Sequence, residues 1–569
     1  MPAGTLHLPP VTQTPTSAPV VAKAIAASTA GPVACPSAKE PVSTGAEERR
    51  NLTSRAGIVA AGTLASRILG LLRDQVIAAV YSRDTTDAFF VAFTIPNVLR
   101  QLLAEGAVQN AALPVLESDR EQSGDASARR TFASLRGLSI VTLAIVTVLG
   151  MVFSNSLVEL FATGYHQHED QFERTAMLTR WLFPYIFFMG TAALGIAALN
   201  LHRKFVVTSF APGLLNVAFI ACCFGLPGWL LANHHDPVLA LAVGALLGGA
   251  LQVIAQWPSL KAIGYLSWPQ FDFKHPRVRE VLRRMGPVLI GIGVYYIDVV
   301  LARRFLSELE VGSQSYFGWA LRLCDFPQGI FVMALQTATL PSLSRLVARG
   351  EHTEVTKTFS FAMRLTLFVG ITASVAAVLL AHPLTVLIFQ RGKFDSLTAH
   401  ETARALMAQG LGIWMVAAVR QLVAVFYAFG DTKSPVRVAA LDLCVFIVLA
   451  LCLRKPLGHV GISLAVTGAS FAQMLLLGLG VKKRLPTLKF APILSSAGKT
   501  LIAASVGGLL ARQAASVFFN AESQSAIGRA VPGFVAALVF VLAFVVAAKA
   551  LKSEELATIV AGIRRRKSV

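Results

Sequence analysis

Residues 66–109 read SRILGLLRDQVIAAVYSRDTTDAFFVAFTIPNVLRQLLAEGAVQ, and they set Arg67, Arg73 and Arg100 inside two apolar stretches. Each stretch is long enough to cross a bilayer, for which about 20 mostly apolar residues suffice. An arginine at membrane depth costs about 2.5–3.5 kcal/mol even on the lenient insertion scale. Three of them so close together demand a compensating role.

The whole chain supports a membrane setting. Of its 569 residues 54% are hydrophobic and 14% charged, with mean hydropathy +0.62, against about 25% charged in an ordinary soluble domain. The net charge of +20 would suit nucleic acid if it lay on a soluble face. Here the Lys and Arg lie between or inside apolar segments, the pattern of charge placed for topology, so no nucleic acid is expected. The six cysteines lack CxxC spacing and read as small packing residues. No His/Cys/Asp/Glu cluster has metal-ligand spacing, and no cofactor is expected. There is no G-x-x-x-x-G-K-[ST] loop and no soluble domain large enough for a nucleotide or sugar donor, so the reading is a transporter and not an enzyme.

Fourteen candidate spans fall between residues 55 and 551. With the N-terminus inside, the six inner connections carry 22 Lys and Arg and the seven outer ones 11, which places both termini in the cytoplasm. AVQNAALPVL at 107–116 matches ALQTATLPSL at 334–343 in six of ten positions, an offset of 227 residues between spans 2 and 8. Six spans per copy return the chain to the same face, as in a parallel repeat with its site between the halves. The chain is therefore expected to be an all-α polytopic membrane protein. Its parts are a disordered extension (1–50), rich in Ala, Pro, Thr and Ser, a six-helix bundle (51–270) and a second six-helix bundle (271–485). Residues 486–569 form helices 13 and 14 and a basic cytoplasmic tail.

The second half adds Arg322 and Arg420 to the intramembrane arginines, and few acids accompany the five. Ion pairs such as Arg100–Glu105 and Arg322–Asp325 give a purely structural reading. Five arginines over both halves leave a net positive interior, which favours an anionic ligand: the arginine fork binds phosphate oxygens and keeps its proton. Asp87 opens span 2, where an acid also suits a helix N-terminus. Pro96 and Pro327 are placed to break their helices at membrane depth, a break tolerated only beside protein or a cavity.

The stretches SRILGLLRD, TDAFFVAFTIPNVLRQLLAEGA, FPYIFF, FAPGLLN, FPQGIF, LPSLS, FQRGKF and GDTKSPVR resemble those of the MurJ (MviN) lipid II flippases. That family belongs to the multidrug/oligosaccharidyl-lipid/polysaccharide exporter superfamily. The resemblance implies movement of undecaprenyl-pyrophosphoryl-disaccharide-pentapeptide (lipid II) from the inner to the outer leaflet of the cytoplasmic membrane, for cell-wall synthesis. It places substrate-binding roles on Arg67, Arg73, Arg100, Arg322 and Arg420, and supporting or gating roles on Ser66, Asp87, Asn97, Glu105 and Asp325. Its implied partners are lipid II, membrane lipids and the cell-wall synthesis machinery. Where an acid can precede the span 8 arginine, this chain has Leu321. Some members bind sodium between helices 7, 11 and 12. Asp298, Asp442 and Thr467 stand in that region, but helix 11 lacks the Asn, and no metal site is expected. The alternatives are a multidrug or polysaccharide exporter of the same superfamily and a non-transporting scaffold for envelope synthesis.

In a cysteine-free background, a cysteine replacing His235 should react with a membrane-impermeant thiol reagent in intact cells, and one replacing Ser127 should not. The reverse pattern overturns the topology.

Overall fold

The computed structural model describes residues 45–102, 109–272, 274–518 and 525–567, and every regular element among them is a helix. In the first bundle α1 spans Gly45–Val80, so helix begins within the residues read as an extension. Helix α2 is described in two pieces, Arg83–Arg100 and Gln109–Ser123. Helix α3 runs over Asp125–Val152 and continues as Ser154–Phe161. Helix α4 comprises Glu169–Leu182 and Pro184–Leu201, α5 Phe205–Gly225 and Pro227–Ala232, and α6 Leu239–Ala262.

The second bundle opens with α7, Pro276–Ser307. Helix α8 joins Ser313–Pro327 to Met333–Ala348 through a π-helical stretch, Gln328–Val332. Helix α9 covers His352–Leu379 and Ala381–Phe389, and α10 covers Ser396–Gly410 and Ile413–Ala428. A 52-residue run, Lys433–Arg484, turns at Gly458, which divides it into α11 and α12. Helices α13 (Ala491–Val517) and α14 (Ala526–Ala550) pack on each other and against α9, and α15 (Glu554–Lys567) ends the described chain.

Among the described residues ten helical stretches are long and apolar enough to cross a membrane, the run Lys433–Arg484 counted as one. Helices α1, α2 and α7 carry Arg67, Arg73, Arg100 and Arg303. Elsewhere large apolar side chains cover the outside: Phe534, Leu538, Val541 and Val546 on α14 are all more than half exposed. A face of that kind is a lipid contact. Cys444 and Cys452 are also exposed, against the expectation of core packing, while Cys222, Cys223 and Cys324 are buried.

The repeat extends into the backbone. Pro96 lies inside a continuous helix, contrary to the expected break, and the wider π turn begins at Gln101. In the second copy it begins at Gln328, 227 residues later, directly after Pro327. The same offset that relates the two sequences relates the two irregular turns. A π turn inside an α-helix re-aims the side chains beyond it and is frequent at functional sites.

Three contacts close the bundles together at one end. The Asp87 carboxylate, 2% exposed, accepts the backbone N–H groups of Gly312 (2.6 Å) and Ser315 (2.7 Å). The Thr86 and Ser315 hydroxyls lie 2.6 Å apart. In the FQRGKF loop the Lys393 N–H donates to the Ala79 carbonyl at the end of α1 (2.8 Å).

Gly458 holds φ +58° and ψ −136°, a region that side-chain-bearing residues enter at a cost of about 1–3 kcal/mol. Gly458→Ala should lower the melting transition of the purified protein accordingly. Gly478→Ala, later in the same run where a Cβ meets nothing within 4 Å, should be neutral or raise it, by up to about 1 kcal/mol. Equal melting shifts in the two variants would contradict this account.

Candidate functional site

Helix α1 delivers two adjacent charges to the gap between the bundles. Arg73 donates from Nε and Nη2 to Oδ1 of Asp74 (3.0 and 2.7 Å) and from Nη1 to the Asn216 amide oxygen on α5 (3.1 Å). Its guanidinium also lies 5.5 Å from the Phe219 ring centre. The second oxygen of Asp74 stands 3.5 Å from Nε of Arg322 on α8. One carboxylate, 6% exposed, thus sits between an arginine of each bundle. The sequence offers Asp325 as the ion-pair partner of Arg322. The structure gives it Asp74 instead, which brings from the first bundle the acid that Leu321 does not supply.

Around this bridge is a cavity with about 970 Å3 of empty space, lined by Arg73, Asn97, Arg303, Arg322, Asp325 and the aromatic residues Phe89, Phe93 and Trp319. A neighbouring pocket of about 670 Å3 is lined by Ser66, Arg100 and Asn216. Arg100 donates to the Asn97 amide oxygen (3.0 Å). Asn216 stands between the two spaces, its oxygen on Arg73 and its nitrogen donating to the Ser66 carbonyl (3.0 Å).

Arg67 and Arg420 line neither space. The Arg67 guanidinium crosses from α1 to the π turn of α8 and lies against Gly329, where any Cβ would collide with it. Arg420 approaches the Met333 sulfur (2.8 Å). Each has a buried Nε–H with no hydrogen-bond partner. With Arg322 they are the cations acting on Asp325. The five arginines are therefore brought to one region in three groups: Arg73 with Arg322 across Asp74, Arg100 beside Asn97, and Arg67 with Arg420 around Asp325.

Asp87 is not among them. Its carboxylate caps the N-terminus of α8, so the helix it serves is in the other bundle and not its own. Glu105 lies outside the described residues. Asp298 and Asp442 are close enough to influence one another, while the Thr467 hydroxyl is turned to the Ala408 carbonyl (2.8 Å). Among the described residues no group of three or more His, Cys, Asp or Glu could hold a metal ion.

Two residues of the site escape sequence reasoning. Asn216 is an ordinary amide in an apolar helix. Arg303 reads as a loop charge on the outer face, but it is 8% exposed, donates to the Gln314 amide (3.0 Å), lies over the Phe90 ring (5.3 Å) and lines the cavity. The GDTKSPVR motif, by contrast, is structural. Asp431 accepts the backbone N–H of Lys433 (3.1 Å) and of Ser434 (3.0 Å) and pairs with Arg484 from the end of α12. Burial alone would raise this carboxyl, and the Ser434 bonds together with the Arg484 and Lys433 interactions hold it below the usual range.

The family model described as "Lipid II flippase MurJ" matches residues 78–530. The chain belongs to this family. A "Lipid II flippase MurJ" of Burkholderia cenocepacia is 34% identical over 428 residues, 74% of this chain and 82% of that one. A "Probable lipid II flippase MurJ" of Vibrio cholerae is likewise 34% identical, over 433 residues covering 74% and 82%. A solved structure titled "Lipid II flippase MurJ, inward closed conformation" superposes with TM-score 0.70 at 23% identity, covering 87% of this chain and 99% of that one. A multidrug resistance MATE family transporter in an inward-facing conformation gives 0.62 at 13% identity, over 74% and 95%. The last two similarities establish the all-helical fold.

Loosening the closed end should expose it. A cysteine replacing Ser315, a residue 0% exposed, should react slowly with an aqueous thiol reagent. Adding Asp87→Ala removes two hydrogen bonds to a charged acceptor, each worth about 1.5–3 kcal/mol, and should speed that reaction by about tenfold or more. An unchanged rate would mean that Asp87 does not hold this end shut.

Proposed function

We propose that the chain is a lipid II flippase working by alternating access, and that its intramembrane arginines hold the pyrophosphate while the two bundles rock about it. The observation that carries this reading is Asp74 held between Arg73 and Arg322 on the wall of a cavity whose guanidiniums outnumber its carboxylates. A diphosphate cannot cross hydrocarbon without replacement of its hydration shell. Arginine forks replace that shell with charge-assisted hydrogen bonds.

In the structure Asp74 occupies the arginines as a phosphate would. An arriving pyrophosphate competes for Arg73 and Arg322, frees them from Asp74 and so loosens a contact between the bundles. Arg67 and Arg420 bring Nε–H donors that lack partners, and Arg100 approaches from the adjoining pocket. On the far side Asp74 and Asp325 recapture the arginines and the headgroup leaves. An ion gradient or the membrane potential biases the cycle, since the sequence has no phosphate-hydrolysing motif. The chain crosses the cytoplasmic membrane fourteen times with both termini inside, and the end closed by Asp87 is the outer one. A multidrug exporter would instead turn buried carboxylates toward a cationic cargo.

Depleting the protein should accumulate lipid II on the inner leaflet. Arg100→Lys keeps the charge but loses the fork, and should impair growth complementation at normal protein levels. Arg67→Ala with Arg100→Ala should abolish it, whereas a scaffold would tolerate both. Full activity of Arg100→Ala sinks the proposal.

A further inference from the structure

The first bundle carries another cavity on its flank, apart from the space between the bundles. It is a shallow groove between α3, α4 and α6, open to the surroundings. Its walls include Phe132 and Leu260, and its polar groups include Arg136, Ser139, Gln256 and Trp257. Gln256 is 1% exposed, and its amide nitrogen has no hydrogen-bond partner. A buried donor without a partner is costly, and one that lines a cavity is explained by an acceptor that belongs there. Arg136 gives one N–H to the Ser267 carbonyl (2.9 Å), and no acidic side chain pairs with it among the described residues.

The lining carries a guanidinium, an amide whose N–H is unpartnered, two hydroxyls and an indole, with no carboxylate, beside an apolar wall. That set fits an anion with several acceptor oxygens attached to a hydrocarbon. The depth agrees. Trp257 is 45% exposed near the end of α6, and the linker that follows exposes Trp268 (91%) and Phe271 (59%). The linker is held against α3 by the Gln270 N–H on the Ala133 carbonyl (3.0 Å), one turn from Arg136. Aromatic side chains exposed together in this way mark the headgroup level of a bilayer. A zwitterionic headgroup would bring its own cation beside Arg136 with no carboxylate to receive it.

We propose that this groove binds an anionic phospholipid, with Arg136 and the Gln256 amide on the phosphate oxygens and the acyl chains leaving along the exposed side of α6. The ligand would then rest against the linker that connects the two bundles. The inference is independent of what the central cavity transports.

The test uses the full-length purified protein in detergent, with phosphatidylglycerol, phosphatidylcholine and inorganic phosphate as probes. Native mass spectrometry should show one phosphatidylglycerol retained about tenfold more tightly than phosphatidylcholine, the worth of one added charge-assisted hydrogen bond. Arg136→Gln should lose that lipid. Gln256→Met should weaken its retention while the lipid-free melting temperature stays level or rises, which a merely structural amide would not permit. Equal retention of the two lipids, or retention unchanged in both variants, overturns the proposal. If inorganic phosphate stabilises the wild type as much as phosphatidylglycerol and Arg136→Gln removes that effect, the groove is a soluble-anion site and the lipid assignment falls.

Discussion

A guanidinium without an acceptor is costly in hydrocarbon, and this constraint organises the protein. At the centre the acceptor is Asp74, which takes two hydrogen bonds from Arg73 and stands 3.5 Å from Arg322. Because Arg73 belongs to the first bundle and Arg322 to the second, satisfying the charges and joining the halves are one event. Removing the carboxylate would leave two cations facing each other in a low dielectric, where repulsion is strong. An anionic substrate is what could take its place.

The same constraint explains how the charged helices are accommodated. Helices α1, α2 and α7 carry arginines within or beside apolar runs. They are tolerable because their polar faces meet each other and α8 around a cavity, while helices such as α14 turn apolar faces outward. The π turns at Gln101 and Gln328 belong to the same design. In the second, the bare backbone at Gly329 gives the Arg67 guanidinium room to reach across from α1.

At the end closed by Asp87 the logic is backbone capping. A helix N-terminus presents unpaired N–H groups, and α8 has its own supplied from α2 in the other bundle. Such a contact is strong when closed and leaves N–H groups free to meet water when open. It therefore suits a joint that must both hold and release. Asp87 and Asp74 do related work at two levels, one on backbone N–H groups and one on side-chain cations.

Much of this was legible in the sequence. Composition fixed the membrane class, the 227-residue offset located the duplication, and arginines inside apolar runs pointed to the region of the candidate site, because hydropathy, repetition and charge are local properties of the chain. The SRILGLLRD and TDAFFVAF stretches also carried the family. Partnership was not legible. That Arg322 meets Asp74 and not Asp325, that Asp87 serves α8 and not α2, and that Arg303 is buried depend on residues hundreds of positions apart becoming neighbours. No spacing rule relates Asp74 to Arg322. Only the packing of the two bundles sets them face to face, and the low dielectric there makes which acid meets which arginine decisive.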